Sequence, residues 1–282
     1  MFHTIGIVGL GLIGGSFAKA MKKTGRYRIL GLDRKEETVR AALDAGAIDE
    51  AGGPKDLQKA DLVIVALHPE ATVQFAAAHM KELQPGTVLL DTCGIKRYLV
   101  ASLGAAAKEC GVIYIGGHPM AGREYSGFAY SLAELYQDAS MILTPCEAST
   151  ADAVQAVAEL CRQIGFSKVV QTTPEHHDAM IAFTSQLAHV VSSAYIKSPE
   201  ASRHDGYSAG SYKDLTRVAR LDENMWTELF LHNKAPLTAE IDEIIRHLQE
   251  YRDAIAGEDA QTLRQLLADG RKRKEAIDKA AD

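Results

Sequence analysis

Short apolar runs alternate with amphipathic segments from the amino terminus to about residue 172. The runs that favour β-strands are 4 to 8, 28 to 32, 61 to 66, 87 to 91, 112 to 115, 140 to 144 and 168 to 172. The segments with apolar residues at helical spacing are 12 to 24, 35 to 45, 70 to 83, 97 to 109 and 149 to 164. Continuous apolar strands that alternate with helices are typical of a parallel sheet covered on both faces. We therefore predict a doubly wound α/β domain.

The pattern changes at Pro174, after which apolar residues keep a helical spacing only. Residues 174 to 282 contain no alternating run of the kind that favours strands, and the stretch from 198 to 211 is polar and rich in Ser and Gly. We predict a domain boundary near residue 173. The first domain would cover residues 1 to 173, and an all-helical domain would cover 174 to 282.

Composition and charge limit the classes of function that the chain can have. Its 282 residues are 46% apolar and carry a net charge of -6, which gives no long-range attraction for nucleic acid or acidic lipid. No run approaches the about 18 apolar residues of a membrane helix, and the amino terminus does not resemble an export signal. The four cysteines form no C-x-x-C pair. We therefore expect a cytoplasmic protein with no metal site, no nucleic-acid partner and no membrane partner.

A glycine-rich motif, G-x-G-x-x-G, follows the first predicted strand and begins the first predicted helix. Gly9 would permit a tight turn, Gly11 would let a pyrophosphate approach the backbone, and Gly14 would let the helix pack closely on the strand. The amides of Leu12 and Ile13 would lie at the helix N-terminus, where phosphates bind. The motif predicts a Rossmann-type nucleotide-binding domain.

An acidic residue at the end of the second predicted strand bears on the choice of cofactor. The carboxylate of Asp33 can accept hydrogen bonds from the adenosine ribose and would repel a 2′-phosphate. This favours NAD over NADP. The next residue, Arg34, could reach a 2′-phosphate, so NADP is the less favoured alternative.

Two histidines follow predicted strands. His118 comes after the fifth strand by two glycines, and ligands of an open parallel sheet bind beyond the carboxyl ends of its strands. A neutral imidazole, with a pKa of about 6.5, suits a dehydrogenase that must remove a hydroxyl proton as hydride leaves. We therefore predict His118 as the base, with the flanking glycines making room for cofactor and substrate. His68 follows the third strand and is a rival on the adenosine side.

Two groups of polar residues interrupt the apolar stripes of the helical region. Ser185 and His189 are four residues apart on one face of a predicted helix. Lys213 and Arg217 share a face of another, and Arg217 could hold a carboxylate through two parallel hydrogen bonds. Beside a nucleotide-binding domain, these residues predict an anionic substrate.

The order of these motifs resembles the prephenate dehydrogenase family, including its arogenate-using relatives. The motifs that carry the resemblance are IGIVGLGLIGGS at the start, DTCGIK at 91 to 96, HPMAGRE at 118 to 124, SQLAH at 185 to 189 and KDLTRVA at 213 to 219. The resemblance implies NAD-dependent oxidative decarboxylation of prephenate to 4-hydroxyphenylpyruvate, a step of tyrosine biosynthesis. It also implies a small dianionic substrate and a homodimer that pairs through residues 174 to 282.

The resemblance also implies roles for single residues. His118 would polarise or deprotonate the ring hydroxyl, His189 would bind substrate, and Arg217 would hold a substrate carboxylate. Glu124 falls where family members place an acidic residue near the side-chain end of the substrate, where it would gate or select. The glycine motif and Asp33 match the NAD site of the family.

The chain departs from the family pattern at three positions. Gly94 stands where many members have a serine whose hydroxyl helps to hold the substrate hydroxyl and the histidine. A water, Thr92, Lys96 or the backbone would take that role, or positioning would rely more on His118. Ala188 replaces a usual proline and Arg123 a common threonine. Arg123 would either suit a dianionic substrate or form a surface ion pair.

Two alternatives to prephenate dehydrogenase remain open. An arogenate dehydrogenase would run the same reaction on a substrate with an amino group, which Glu124 could pair with. A catalytically inactive NAD-binding scaffold is the other, and the loss of the serine at Gly94 is the feature in its favour. We expect neither a chorismate mutase domain nor an ACT domain.

Overall fold

The computed structural model describes residues 2–123 and 125–281, and its centre is one eight-stranded sheet. The strands are β1 (Thr4–Val8), β2 (Arg28–Leu32), β3 (Glu50–Ala51), β4 (Leu62–Val65), β5 (Val88–Asp91), β6 (Ile113–Pro119), β7 (Ser140–Pro145) and β8 (Lys168–Gln171). They lie in the order β3-β2-β1-β4-β5-β6-β7-β8. The order reverses at β1, which is the arrangement that doubly wound sheets use to open a ligand crevice.

Helices connect most of the strands, and the described chain after β8 contains helices and no further strand. Those of the sheet region are α1 (Leu12–Thr24), α2 (Glu36–Asp44), α3 (Pro69–His79), α4 (Arg97–Glu109) and α5 (Ala151–Gln163). Those that follow are α6 (Pro174–Ile181), α7 (Ala188–Tyr195), α8 (Gly210–Thr216), α9 (Glu223–His232), α10 (Lys234–Ala256) and α11 (Ala260–Ala281). The predicted fold class, a Rossmann-type sheet followed by helices, is confirmed.

The sheet departs from the predicted parallel arrangement at one pairing. Strands β1 to β6 are parallel, but β7 pairs antiparallel with β6, and β8 runs parallel to β7. The reason lies in the connection between β6 and β7, residues 120–139, whose described part holds only a short 3₁₀ turn at Phe128–Tyr130. Without a crossover helix the chain re-enters the sheet from the edge it has just left.

Strand β6 is longer than its apolar run predicted. Pairing with β5 ends at Leu90 and Ile115, but β6 continues and pairs with β7 through Gly117 opposite Leu143 and His118 opposite Ile142. His118 is therefore a strand residue beyond the end of β5, and not a loop residue as expected. Its backbone is held by a ladder on one side only.

The two glycines before His118 serve protein packing. Both are buried, and a Cβ on Gly117 would lie 2.6 Å from the Asp91 carbonyl oxygen and 2.7 Å from Met141 Cε. A Cβ on Gly116 would collide with the Thr144 hydroxyl. The expectation that these glycines make room for cofactor and substrate was wrong, because protein atoms already fill the space on that side.

Both faces of the sheet are covered by apolar side chains. On one face Phe17 and Met21 of α1 and Val157 of α5 pack among strand residues, and on the other Leu99 and Leu103 of α4 do so. Burial at about 25 cal/mol per Å² of apolar surface makes these two layers the main source of stability. The sheet is thus a rigid platform for residues at its carboxyl edge.

The described chain divides into two compact units, one ending at Lys234 and the other beginning at Ala235. The first contains the sheet and helices α6 to α9. The second contains α11 and nearly all of α10, joined by a hydrogen bond from the Tyr251 hydroxyl to the Leu266 carbonyl at 3.2 Å. The predicted boundary near residue 173 marks the change from strands to helices, and as a domain boundary it stays a prediction. Within the described ranges, no helix has the length and apolar character to cross a membrane.

Candidate active site

The glycine-rich loop between β1 and α1 has the geometry that a dinucleotide requires. Gly9 has a φ of 86°, and a Cβ there would lie 2.5 Å from the Ala66 carbonyl oxygen. A Cβ on Gly14 would collide with the Gly9 carbonyl oxygen, whereas one on Gly11 would meet nothing within 4 Å. Gly9 and Gly14 thus fix the turn and the packing of the helix, and Gly11 leaves the backbone open on the ligand side.

The N-terminus of α1 is free of negative side chains. Helix α1 begins at Leu12 with Gly11 as its N-cap, and its first turn contains no acidic residue. The amides of Leu12 and Ile13 therefore keep the positive end of the helix dipole available to a phosphate. The residues present fit the pyrophosphate of a dinucleotide.

Asp33 lies beside this loop at the end of β2. Its Oδ2 accepts the Leu10 amide at 2.9 Å and its Oδ1 accepts the Lys35 amide at 3.0 Å. The two hydrogen bonds fix the carboxylate, and each oxygen has a second lone pair for a ribose hydroxyl. Asp33 is partly exposed and Arg34 is exposed. Both predicted cofactor residues are thus accessible at the edge of the glycine loop.

His118 faces the loop that follows β5. An ideal Cβ on Gly94 would lie 3.7 Å from His118 Nε2 and 3.6 Å from Leu229 Cδ2 of helix α9. A side chain at position 94 would therefore contact the Nε2 edge of the imidazole. With glycine there, Nε2 has no side-chain hydroxyl from this position, and the ring must be oriented from its other side.

The other nitrogen of His118 contacts a second, buried histidine. His118 Nδ1 lies 2.9 Å from His177 Nε2, and His177 Nδ1 lies 2.7 Å from Asp178 Oδ1. His177 and Asp178 are adjacent in α6, and both are at most 2% exposed. Three side chains from two elements thus form one hydrogen-bonded chain that ends at His118 Nε2.

Burial determines the ionisation of both rings. It lowers the pKa of His118 well below its usual range, and the nearby His177 and the cationic Lys96 act in the same direction. Burial also lowers the pKa of His177, against the hydrogen bond and charge of Asp178, which raise it. His118 is therefore neutral near pH 7 and able to accept a proton.

A buried ion pair holds the strand that carries His118. The Lys96 ammonium group is fully buried, bonded to the Asp91 carboxylate and to the Gly117 carbonyl oxygen at 2.5 Å. The Tyr114 hydroxyl donates to the other Asp91 oxygen at 2.8 Å. Because an unpaired buried charge is costly, this network fixes the position of Gly117 and with it that of His118.

The alternatives to the missing serine can now be compared. The Thr92 hydroxyl donates to the Val65 carbonyl oxygen at 3.4 Å, and Lys96 is fully buried in the ion pair with Asp91. Neither is directed to the space beside Gly94. A water, the backbone and positioning by His118 itself stay as the predicted alternatives.

His189 lies in helix α7 against an aromatic ring. Its Nδ1 is 2.9 Å from the Ser185 carbonyl oxygen, and its ring is 3.8 Å from that of Trp226, measured between centroids. Burial lowers the pKa of His189 against the hydrogen bond to the Ser185 carbonyl oxygen, which raises it, and the charge of Arg217 adds a smaller lowering. The structure therefore brings His189 and Arg217 into one electrostatic environment. Trp226, which follows the KDLTRVA motif along the chain, is a further residue of this group.

The helix expected around Ser185 to His189 contains an irregularity. Residues Ala182–Leu187 form a π-helical segment, and α7 begins only at Ala188. Such segments are frequent at functional sites because they change which side chains share a face. Sequence spacing could not reveal this change of register between His177 and His189.

The remaining predicted substrate residues are less enclosed. Lys213 is exposed on α8, which ends at Thr216, so Arg217 belongs to the following 3₁₀ turn and not to the same helix as predicted. Arg123 is exposed, and its Nη1 donates to the Tyr130 carbonyl oxygen at 3.4 Å. Glu124, the predicted selecting residue, lies outside the described residues.

The described part of the chain contains no cluster of metal-binding side chains. No group of three or more His, Cys, Asp or Glu side chains there could hold a metal ion. All four cysteines are free thiols, and burial raises the pKa of Cys161 to about 12. A thiol with such a pKa is not a nucleophile near pH 7.

Comparison with known proteins accounts for nearly the whole chain. Residues 17–170 match the sequence model of the prephenate dehydrogenase nucleotide-binding domain, and residues 173–269 match that of its dimerisation domain. The chain belongs to the prephenate dehydrogenase family. The family identified from the motifs is thereby confirmed, and with it an NAD-dependent oxidoreductase.

Individual members of the prephenate dehydrogenase family match over most of their length. Cyclohexadienyl dehydrogenase of Zymomonas mobilis is 32% identical over 98% of this chain and 97% of its own, and prephenate dehydrogenase of Bacillus subtilis is 31% identical over 93% and 73%. The crystal structure of prephenate dehydrogenase from A. aeolicus with hydroxyphenyl propionate and NAD+ has a TM-score of 0.87 at 29% identity. It covers 98% of this chain and 99% of its own. The structural match thus extends beyond the nucleotide-binding sheet.

His177, Asp178 and Asp91 were not among the residues predicted for this site, and Lys96 was considered only as a substitute for the serine and not as the partner of Asp91. The available signal was the run His176-His177-Asp178 in the first turns of a helix whose other inward positions are apolar. A buried carboxylate needs partners, so Asp178 on such a face indicates a polar network. The sequence cannot say that the partners lie in α4 and β6.

Proposed function

We propose that this protein is an NAD-dependent prephenate dehydrogenase of tyrosine biosynthesis. The observation that carries the proposal is His118, a neutral and partly exposed imidazole beyond the end of β5, with one nitrogen engaged by His177. This is the group that oxidation of a ring alcohol requires. Membership of the family supports the substrate.

The reaction removes a hydride and CO2 from one ring, and the hydroxyl proton is taken up by the enzyme and then returned. Bound NAD would accept the hydride from the carbon that carries the hydroxyl. His118 Nε2 accepts the hydroxyl proton as the carbonyl forms. Loss of CO2 then leaves its bonding electron pair in the ring, which becomes an aromatic phenolate. The protonated His118 returns the proton to the phenolate oxygen, giving 4-hydroxyphenylpyruvate, and the stability of the aromatic ring makes the step effectively irreversible.

Hydrogen-bond donors from the helices that follow the sheet would hold the two carboxylates of prephenate. We assign one carboxylate to Arg217, whose planar guanidinium can form two parallel hydrogen bonds. His189 lies in the same electrostatic environment and would bind the substrate beside it. Lys213 and Arg123 would add positive charge, and Glu124 would select at the side-chain end.

NAD is the proposed cofactor, with NADP as the less favoured alternative. Asp33 is fixed by two backbone amides at the edge of the glycine loop, where its negative charge would oppose a 2′-phosphate. The relative from A. aeolicus was crystallised with NAD+. Exposed Arg34 is the residue that would let NADP bind.

The assembly that we propose is a homodimer through residues 174 to 282. The family model that matches residues 173–269 is a dimerisation domain. Its start, and the end of the nucleotide-binding model at residue 170, support a domain boundary near 173. Exposed apolar residues of α10 and α11, Ile245, Leu248, Ile255, Leu267 and Ile277, suit a helical interface. We further propose that the enzyme is cytoplasmic and has no nucleic-acid or membrane partner.

Arogenate dehydrogenase is the second candidate function. One relative is named for the cyclohexadiene ring that prephenate and arogenate share, and not for prephenate alone. The two substrates differ only in a keto or an amino group on the side chain. Glu124 is the residue that would pair with an ammonium group.

A four-way assay tests substrate and cofactor together. Purified protein is mixed with NAD or NADP and with prephenate or arogenate, and absorbance of the reduced cofactor is followed. We expect the highest kcat/KM with NAD and prephenate. Higher values with arogenate would transfer the assignment to the second candidate. No reduction in any of the four mixtures would indicate an inactive NAD-binding scaffold.

A further inference from the structure

The buried carboxylate of Asp178 is surrounded by hydrogen-bond donors. Its Oδ1 accepts the Lys96 amide at 2.7 Å, and its Oδ2 accepts the Arg97 amide at 2.9 Å. These amides begin helix α4, whose positive dipole end also favours a negative charge. Donors thus face both oxygens, and Asp178 acts as an acceptor towards its third neighbour, His177.

This acceptor determines where the protons of both histidines lie. Because Asp178 Oδ1 accepts, the His177 Nδ1 that lies 2.7 Å away must carry a hydrogen. In a neutral imidazole the other nitrogen is then a lone-pair acceptor. His177 Nε2 is therefore an acceptor, and His118 Nδ1, at 2.9 Å, must be the donor. The remaining nitrogen, His118 Nε2, is left without a proton.

We propose that His177 and Asp178 are positioning residues that hold His118 in the one tautomer able to accept the hydroxyl proton of the substrate. The inference rests on the proposed function, since it assigns the base of that reaction to one nitrogen. Neither residue contacts substrate in this arrangement, because both are buried behind His118. Their effect passes through the imidazole ring.

The chain of hydrogen bonds has a particular importance in this protein because position 94 is glycine. A serine there would reach the Nε2 side of the ring, where a Cβ would lie 3.7 Å away. Without it, no side chain at that position can select the tautomer or the ring orientation. Selection from the Nδ1 side, by His177 and Asp178, is the route that the described contacts provide.

Packing alone is the competing explanation for these two residues. Asp178 joins α6 to the start of α4, and Asn233 Nδ2 donates to its carbonyl oxygen at 2.9 Å. A purely structural role predicts that any replacement of His177 lowers stability and activity together. A tautomer role predicts that the loss depends on whether the new side chain can accept from His118.

Replacing His177 by Gln and by Leu distinguishes the two roles. The Gln side chain can accept from His118 Nδ1 with its oxygen and donate to Asp178 with its nitrogen, whereas Leu can do neither. We expect His177→Leu to lower kcat for prephenate and NAD by roughly 10²-fold or more, the range for loss of a correctly placed base. His177→Gln should recover at least about 10-fold of that loss, with KM values within about threefold of wild type. His176→Leu, at the exposed neighbouring position, is the matched control.

A spectroscopic measurement tests the inference independently of turnover. In protein with ¹⁵N-labelled histidine and no substrate, we expect His118 Nε2 to show the signal of an unprotonated nitrogen in wild type and His177→Gln. His177→Leu should show a mixture of tautomers, while thermal unfolding confirms that each variant is folded. A protonated Nε2 in wild type, equal loss of kcat in both variants, or full activity of His177→Leu would overturn the proposal. Inactive wild type would remove the proposed function alone, because the tautomer would still be read from the nitrogen signals.

Discussion

The glycine loop and the surroundings of His118 lie at the same edge of the sheet but are built in different ways. The glycines and the helix-terminal amides of the loop come from one continuous stretch between Gly9 and Gly14. Only Asp33 comes from elsewhere, directly after strand β2. The surroundings of His118 combine β5, β6, the start of α4, and α6. The first can be deduced from local spacing. The second depends on which elements the fold brings together.

The difference has a physical origin. A phosphate-binding turn needs particular backbone conformations, and only certain residues adopt them, so the requirement is visible in the sequence. A proton-accepting histidine needs a defined tautomer, and any suitably placed acceptor can provide it. The requirement at His118 is therefore met by partners that leave no fixed spacing. Four variants, two in the glycine loop, one at His118 and one at the proposed carboxylate partner Arg217, test this comparison, from the largest expected effect to the smallest.

Removal of the base should have the largest effect. Asn at position 118 can still donate to His177 Nε2 but cannot take the hydroxyl proton, so we expect His118→Asn to lower kcat by about 10²- to 10⁴-fold. Steady-state kinetics with prephenate and NAD measure this. His3→Asn is the control, since His3 is exposed and precedes β1 at the opposite edge of the sheet. Activity of the His118 variant within about threefold of wild type would remove His118 as the base.

Removal of Arg217, the proposed partner of a substrate carboxylate, should have an intermediate effect. A charge-assisted hydrogen bond is worth about 1.5 to 3 kcal/mol, so Arg217→Ala should raise the KM for prephenate by roughly 10- to 100-fold. The KM for NAD should hardly change, because the cofactor binds at the glycine loop. Arg162→Ala, an exposed arginine at the end of α5, is the control. Equal KM values for prephenate in wild type and Arg217→Ala would exclude Arg217 from the substrate site.

A matched pair in the glycine loop should give the smallest effects and separate packing from binding. In Gly14→Ala the new methyl group would collide with the Gly9 carbonyl oxygen, so we expect a loss of about 1 to 3 kcal/mol in the free energy of unfolding. In Gly11→Ala the methyl group meets no protein atom within 4 Å. Its unfolding free energy should stay within about 1 kcal/mol of wild type, while the KM for NAD rises. Urea unfolding and steady-state kinetics measure the two quantities. A loss of stability in Gly11→Ala together with unchanged stability in Gly14→Ala would refute these roles.

Much of the fold followed from the spacing of apolar residues. Helices α1 and α4 begin and end where the pattern placed them, and the first two strands have their predicted bounds. The direction of β7 did not follow, because an apolar run does not encode the path of the loop before it. The extension of β6 through His118 escaped prediction for a related reason, since its glycines are selected by packing against Asp91, Met141 and Thr144.

The sequence by itself determined the nucleotide loop, the position of His118 after an apolar run, and the family. These depend on local backbone preferences and on motifs whose residues are neighbours in the chain. Only the tertiary structure placed His177 and Asp178 behind His118 and buried Lys96 against Asp91. The reason is that burial and hydrogen-bond direction arise from contacts between distant segments. Those contacts decide which nitrogen of a histidine is free to act.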